Sequence, residues 1–231
     1  MSWVNEKNHR QTLRSPILSL WIFAFLLITG CQAVLSQTTW AQNGALLFQE
    51  DFEDGTADGW ILSPGWSVAL DDGNRVLCYS GFPEFEMRGC AYPDMSGWVN
   101  YTLELKLKII KGNLHIDFRS SPGAKYWLGI PEGVGCYLAI GRNDNGSPWN
   151  NQIIFSQEIW ELSKWYSVKI ILNGTHIQIY RDSILIIDYT DNTDHAILTP
   201  GGFGFETFFN MIPGGLVKHY FDDIKITLVD R

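Results

Sequence analysis

The sequence predicts an all-β chain folded as a two-sheet antiparallel jelly-roll sandwich. Three observations carry this expectation. Short apolar segments recur between Gly, Pro and Asn, with turns about every 8–12 residues. The clearest segment alternates strictly: Tyr101, Leu103, Leu105, Leu107 and Ile109 face one way, and Thr102, Glu104, Lys106 and Lys108 the other. No segment carries the period of a long helix, although Gln157 to Lys164 has room for one turn.

The elements follow in order from Leu46. After the alternating strand, Gly112-Asn113 predicts a tight turn and Leu114 to Arg119 the return strand. Lys125 to Ile130, Cys136 to Ile140 and Gln152 to Phe155 are short apolar strands. Trp165 to Leu172 is a strand that ends on Asn173-Gly174, a strong hairpin signal. His176 to Tyr180 and Ile184 to Tyr189 flank the turn residues Arg181-Asp182-Ser183. Gly202 to Phe208 and Tyr220 to Val229 complete about twelve strands, a pattern typical of a sandwich or barrel.

Composition excludes several classes. Of 231 residues, 45% are hydrophobic, 14% aromatic and only 18% charged, which rules against disorder. The net charge of −8 argues against a nucleic-acid partner, which would select a basic face.

Residues 1–30 read as a signal peptide. Lys7, Arg10 and Arg14 precede an uncharged apolar run from Pro16 to Thr29. Ile28-Thr29-Gly30-Cys31 resembles the bacterial lipoprotein box. That resemblance implies lipidation of Cys31, cleavage before it, and stable membrane attachment through several acyl chains. Gln32 follows, where an Asp commonly retains lipoproteins at the inner membrane. A competing cleavage after Thr39-Trp40-Ala41 would release a soluble protein. Residues 31–45 read as a tether and 46–231 as the folded domain. Loss of residues 1–30 removes three positive charges and one negative, taking the charge to −10. Such a surface favours neutral or cationic partners.

Three cysteines remain. Export permits a disulfide, and Cys78 with Cys90, around a loop holding Gly81, Pro83 and Gly89, is the expected pair. Cys136 lies in an apolar strand and is expected as a buried thiol. With neither a CxxC nor a Cys/His cluster, zinc is not expected.

An ordered set of motifs spans nearly all of residues 46–230. It opens with Asp51-Phe52-Glu53-Asp54-Gly55, Asp58-Gly59-Trp60 and Gly65-Trp66-Ser67-Val68. It continues with Trp165-Tyr166-Ser167-Val168-Lys169-Ile170 and Asn173 to Tyr180. It closes with Gly201-Gly202-Phe203-Gly204-Phe205-Glu206 and Phe221-Asp222-Asp223-Ile224-Lys225-Ile226. The set resembles a concanavalin A-like lectin/glucanase domain of the laminin G-like and 3-keto-disaccharide-hydrolase-like kind. The resemblance implies sugar bound on a concave sheet face or its rim, and first and last strands lying side by side.

That adjacency brings Glu50, Asp51, Glu53 and Asp54 toward Asp222 and Asp223. Oxygen-rich clusters suit calcium, and Glu53 and Asp222 are the expected ligands of a structural calcium. The alternative is that these acids face water or cap turns. A polar stripe, His115, Asp117 and Arg119, shares one face of a strand. Asp accepts from sugar hydroxyls and Arg forks onto hydroxyl pairs. Tyr126, Tyr137, Arg142 and Glu206 are candidates to join it. Trp127 and Trp149, beside Gly, Pro and Asn, are candidate stacking platforms, whereas Trp60, Trp66 and Trp165 suit the core.

For catalysis, the Glu-x-Asp-x-x-Glu motif of laminarinase-type relatives is missing, as is a Gly-x-Ser-x-Gly elbow. Glu206 paired with Asp117 across the sheet is the one enzymatic arrangement in view. The leading expectation is a non-catalytic carbohydrate-binding or adhesive module for neutral oligo- or polysaccharide. The alternatives are a glycoside-cleaving enzyme and a structural interaction domain. If Cys31 is the anchor, metabolic palmitate labelling is expected for the intact chain and none for Cys31→Ser; labelling that survives the substitution refutes it.

Overall fold

The computed structural model describes residues 44–82, 89–93, 97–144, 147–208 and 215–229. The signal peptide, the lipoprotein box with Cys31 and nearly all of the tether lie outside the described residues. The first strands are β1 (Leu46–Glu50), β2 (Trp60–Leu62), β3 (Trp66–Asp71), β4 (Asn74–Gly81) and β5 (Gly89–Pro93). Next come β6 (Tyr101–Lys111), β7 (Asn113–Ser121), β8 (Ala124–Ile130), β9 (Cys136–Asp144) and β10 (Ser147–Ser156). The chain ends with β11 (Trp165–Asn173), β12 (His176–Arg181), β13 (Ile184–Thr190), β14 (Gly202–Phe208) and β15 (Val217–Leu228). No helix forms among the described residues, including 157–164.

The strands build two antiparallel sheets. One has the order β13-β12-β11-β6-β15-β4-β3, with β1 also on β15; the other has the order β10-β9-β8-β7-β14-β5-β2. The first and last strands do pair, Phe48 opposite Ile226 and Glu50 opposite Ile224. Strand β15 changes partner along its length, from β4 to β1, at a bulge where Asp223 takes a φ of 48°.

Alternation does what the pattern demands. Leu103, Leu105, Leu107 and Ile109 of β6 and Phe221, Ile224 and Ile226 of β15 point inward. They meet Ile116, Phe118, Phe203 and Phe205 of the second sheet in one core. Phe205 and Phe221 stack across the sheets with centroids 3.9 Å apart. The β12–β13 turn places Asp182 and Ser183 at φ 49° and 68°, the left-handed pair that matches strand twist in a two-residue hairpin. At the Asn173-Gly174 hairpin, Gly174 supplies the positive φ.

Two expectations fail. Cys78 does not pair with Cys90: it is a free, buried thiol. Cys78 lies in β4 with Val76 and Tyr220 on the outer side of the first sheet, while Cys90 belongs to β5 of the second sheet. Burial raises the Cys78 thiol above its usual range. Cys136 is a buried free thiol, as expected.

Arg119 also leaves the stripe assigned to it. The β7–β8 register breaks after Phe118, and Arg119 takes a φ of 44°. The side chain, 1% exposed, turns inward instead of joining Asp117. Nε donates to Val99 O at 2.8 Å, Nη1 to Ile197 O at 2.8 Å and Nη2 to Gly174 O at 2.7 Å. The Arg119 backbone N–H donates to the Tyr101 hydroxyl at 3.0 Å. One guanidinium therefore ties three loop segments together. Arg119→Ala deprives three carbonyls of this donor, and a destabilisation of at least about 3 kcal/mol is expected in urea unfolding. Arg119→Lys is expected to recover only part of it, because a compact ammonium cannot span the fork.

Candidate functional site

The outer face of the second sheet carries the polar cluster. Asp117 lies opposite Trp127 in the β7–β8 register, and His115 opposite Glu206 in β7–β14. Because side chains alternate, all four project to the side away from the core. Lys125, two residues before Trp127, and Tyr92 of β5 complete the group.

Lys125 Nζ sits between the two acids, 2.7 Å from Asp117 Oδ2 and 2.6 Å from Glu206 Oε1. The Tyr92 hydroxyl lies 2.8 Å and 3.0 Å from the same two oxygens. Its single proton can serve one carboxylate at a time. His115 reaches Glu206 Oε2 at 3.4 Å through Nδ1 and the Tyr137 hydroxyl at 3.0 Å through Nε2. The His115 ring stacks on Trp127, centroids 5.3 Å apart, and Lys125 Nζ lies 5.7 Å over the same indole.

Two glycines make room for these rings. A Cβ on Gly129 would lie 2.2 Å from the Tyr137 ring, and one on Gly141 would lie 2.9 Å from Trp127. The face is thus a bare backbone floor with aromatic rings laid across it.

Two polar atoms here have no hydrogen-bond partner: Asp117 Oδ1 and Trp127 Nε1. Both atoms are shielded from solvent. His115, Asp117 and Glu206 place ligand atoms within 4.8 Å of one another. The Lys125 ammonium already stands between the carboxylates, so this cluster holds a cation of its own.

The expected site divides in two. Asp117, Trp127, Tyr137 and Glu206 come together, as proposed from sequence. Tyr126 does not join them: it pairs with Phe118 on the inner side, donates to Asp191 Oδ2 at 2.6 Å and accepts from Ile197 N–H at 3.1 Å. Trp149 lies opposite Arg142, in step with Ile140, and packs toward the core side of its sheet. Its ring meets the edge of His195 at 4.9 Å. Arg142 Nη1 donates to His195 O at 2.9 Å. Lys125 escaped the sequence reading although its spacing from Trp127 put it on the same face. Tyr92 had no such signal, because β5 is short and lacks alternation.

Glu53 and Asp222, the expected calcium ligands, lie elsewhere. Glu53 Oε1 accepts from Arg75 N–H at 3.0 Å, and Arg75 Nη1 donates to Glu53 O at 3.0 Å. Glu50, Asp51 and Asp54 cap local turns through the N–H groups of Phe52, Glu53 and Thr56. Asp222 is different. Oδ2 accepts from Asn74 at 2.7 Å, while Oδ1 is buried without a partner. Burial raises its carboxyl above the usual range, and the charges of Asp223 and Glu53 add to this. Among the described residues, Asp222 belongs to no group of three or more acids or histidines close enough to share a cation.

Asp117 is fully buried, and its carboxyl is pushed from 3.8 to about 6. Burial is the largest cause, and the charge of Glu206 adds to it; Lys125 and Tyr92 work in the opposite direction. The folded chain therefore binds this proton more tightly than the unfolded chain. The stabilisation is present in acid and is lost as pH rises from 3.8 through about 6. Relative to Asp117→Asn, the wild-type unfolding free energy is expected to fall across this window by at most about 3 kcal/mol. Urea titrations at a series of pH values check this; parallel curves would contradict it.

The sequence matches no protein-family model and no curated protein. Solved structures do match. The carbohydrate binding module CBM66 from Bacillus subtilis aligns with TM-score 0.53 and 19% identity, covering 73% of this chain and 95% of that one. A Bacteroides ovatus mixed-linkage glucan GH16 protein, in complex with a G4G4G3G product, aligns with TM-score 0.62 and 13% identity, covering 78% and 99%. A Bacillus subtilis protein of unknown function with a galectin-like fold aligns with TM-score 0.62 and 13% identity, covering 82% and 99%. Strand order, sheet pairing and these likenesses agree: the chain has the concanavalin A-like lectin/glucanase fold.

Proposed function

We propose that this chain is a non-catalytic carbohydrate-binding module that takes neutral oligo- or polysaccharide on the outer face of β14, β7, β8 and β9. The observation that carries the reading is the layer of rings on this face: His115 stacked on Trp127 and hydrogen-bonded to Tyr137, with the Lys125-bridged acids beside them, on a floor cleared by Gly129 and Gly141. Sugars need both an apolar face to stack on and polar groups for their hydroxyls. The likeness to CBM66 and to a glucan-bound GH16 structure supports the same class of ligand. Lys125 holds the two acids in place and limits their repulsion.

A structural calcium on Asp222 and Glu53 belongs to this reading, supported by the orphaned Asp222 Oδ1. So does export with a lipid anchor at Cys31, supported by the basic and apolar segments before it. A glycan array run with calcium and with chelator tests ligand and ion together. Retention of a neutral glycan is expected, weakened about tenfold or more by Trp127→Ala. Calcium is expected to raise the melting temperature of wild type and not of Asp222→Asn. An array with no retained glycan under either condition refutes the binding reading.

One observation favours a second reading, a glycoside-cleaving enzyme. Asp117, raised to about 6, lies beside a second acid, Glu206, as acid and base partners require. Against it, one lysine ammonium and one tyrosine hydroxyl already bridge the two carboxylates, filling the space where a glycosidic oxygen or a water would sit. Reducing-sugar release from a polysaccharide panel separates the readings. Under the binding reading none is expected; release that Glu206→Gln abolishes would establish the enzyme.

A further inference from the structure

We infer that the chain carries a second saccharide site, in the cleft between edge strand β10 and the segment 189–195. The inference rests on the carbohydrate reading above but not on the location proposed there.

Strand β10 is the outermost strand of one sheet and β13 of the other. On this side the sandwich opens into a cleft of about 630 Å³. That volume lies within the range of about 300–1,000 Å³ usual for small-molecule sites. Ile140, Ile153, Trp149 and Tyr189 give it an apolar floor and wall. Asn150, Asn151 and His195 supply its polar rim.

The wall is built in advance. Trp149 is packed against the core on one side and held by the His195 ring at 4.9 Å on the other. His195 is itself fixed through its carbonyl by Arg142. A ligand would not have to order these groups.

Charge selects the ligand class. Neither Lys nor Arg lines the cleft among the described residues. The one acid, Asp191, is committed internally: Oδ1 accepts from the Thr193 N–H at 3.0 Å and hydroxyl at 2.6 Å, and Oδ2 accepts from Tyr126 at 2.6 Å. An anion finds no partner here. A hydrocarbon would leave the Asn151 amide unanswered. A neutral ligand with an apolar face and hydroxyl edges, such as a sugar ring, satisfies both.

Trp149 and Trp127 project from opposite sides of the same sheet, so the two sites can be occupied independently. Bound to one polymer, or bridging two, they would act through avidity.

Calorimetric titration with tetrasaccharides of β-glucan, xylan and mannan tests this on the full chain. Two sites per chain are expected. Trp149→Ala and His195→Ala should each weaken one site about tenfold, leaving the other unchanged. His195 is exposed, so its substitution is expected to spare the fold; melting temperatures of both variants check this. A single site removed by Trp127→Ala and untouched by Trp149→Ala and His195→Ala overturns the cleft while leaving the proposed function intact. A single site with the opposite response upholds the cleft and overturns the outer-face location. Failure of wild type to bind any of the three overturns both.

Discussion

The arrangement depends on one buried cation. Arg119 gathers the carbonyls of Val99, Gly174 and Ile197, which precede β6, turn β11 into β12, and lead toward β14. These loops close one end of the sandwich. Burial lowers the tendency of the guanidinium to hold its proton, yet its ordinary value is so high that it stays charged. A charge kept there must be met by dipoles, and three backbone carbonyls meet it. The same loop end seats Tyr126 and Asp191, so the clamp fixes the geometry of one wall of the edge cleft as well.

The outer face of the second sheet follows a different constraint, the two-residue period of a strand. Since Phe118, Tyr126 and Phe205 must fill the core, Asp117, Trp127 and Glu206 are carried outward by their neighbours' burial. Side chains of opposite character are thus set side by side by packing on the other face. Lys125 neutralises part of the charge that results, and the glycines opposite let the rings lie flat on the sheet.

Much of this was legible in the sequence. Alternation identified the central strands and their inner faces, and the Asn173-Gly174 and Arg181-Asp182-Ser183 turns were placed correctly. Asp117, Trp127, Tyr137 and Glu206 were assembled from four strands by residue type alone. What misled was anything that breaks the period. The bulge after Phe118 turned Arg119 inward, which counting by twos cannot anticipate. Tyr126 and Trp149 were chosen for their chemistry, although parity with Phe118 and Ile140 assigned them inward. Cys78 and Cys90 are near in sequence, but proximity along the chain says nothing about which sheet each strand joins.

The position of β15 has a consequence for how the molecule is made. This last strand lies inside its sheet, between β6 on one side and β4 and β1 on the other. Until residues 217–228 have emerged from the ribosome, β6 has only β11 beside it and β4 only β3, and the first strand has nothing to pair with. The nascent chain therefore cannot complete its larger sheet early, and its defining contacts span almost the whole domain. Such non-local topology folds slowly. A chain built this way completes its larger sheet only when β15 takes its place between β6 and the pair β4 and β1.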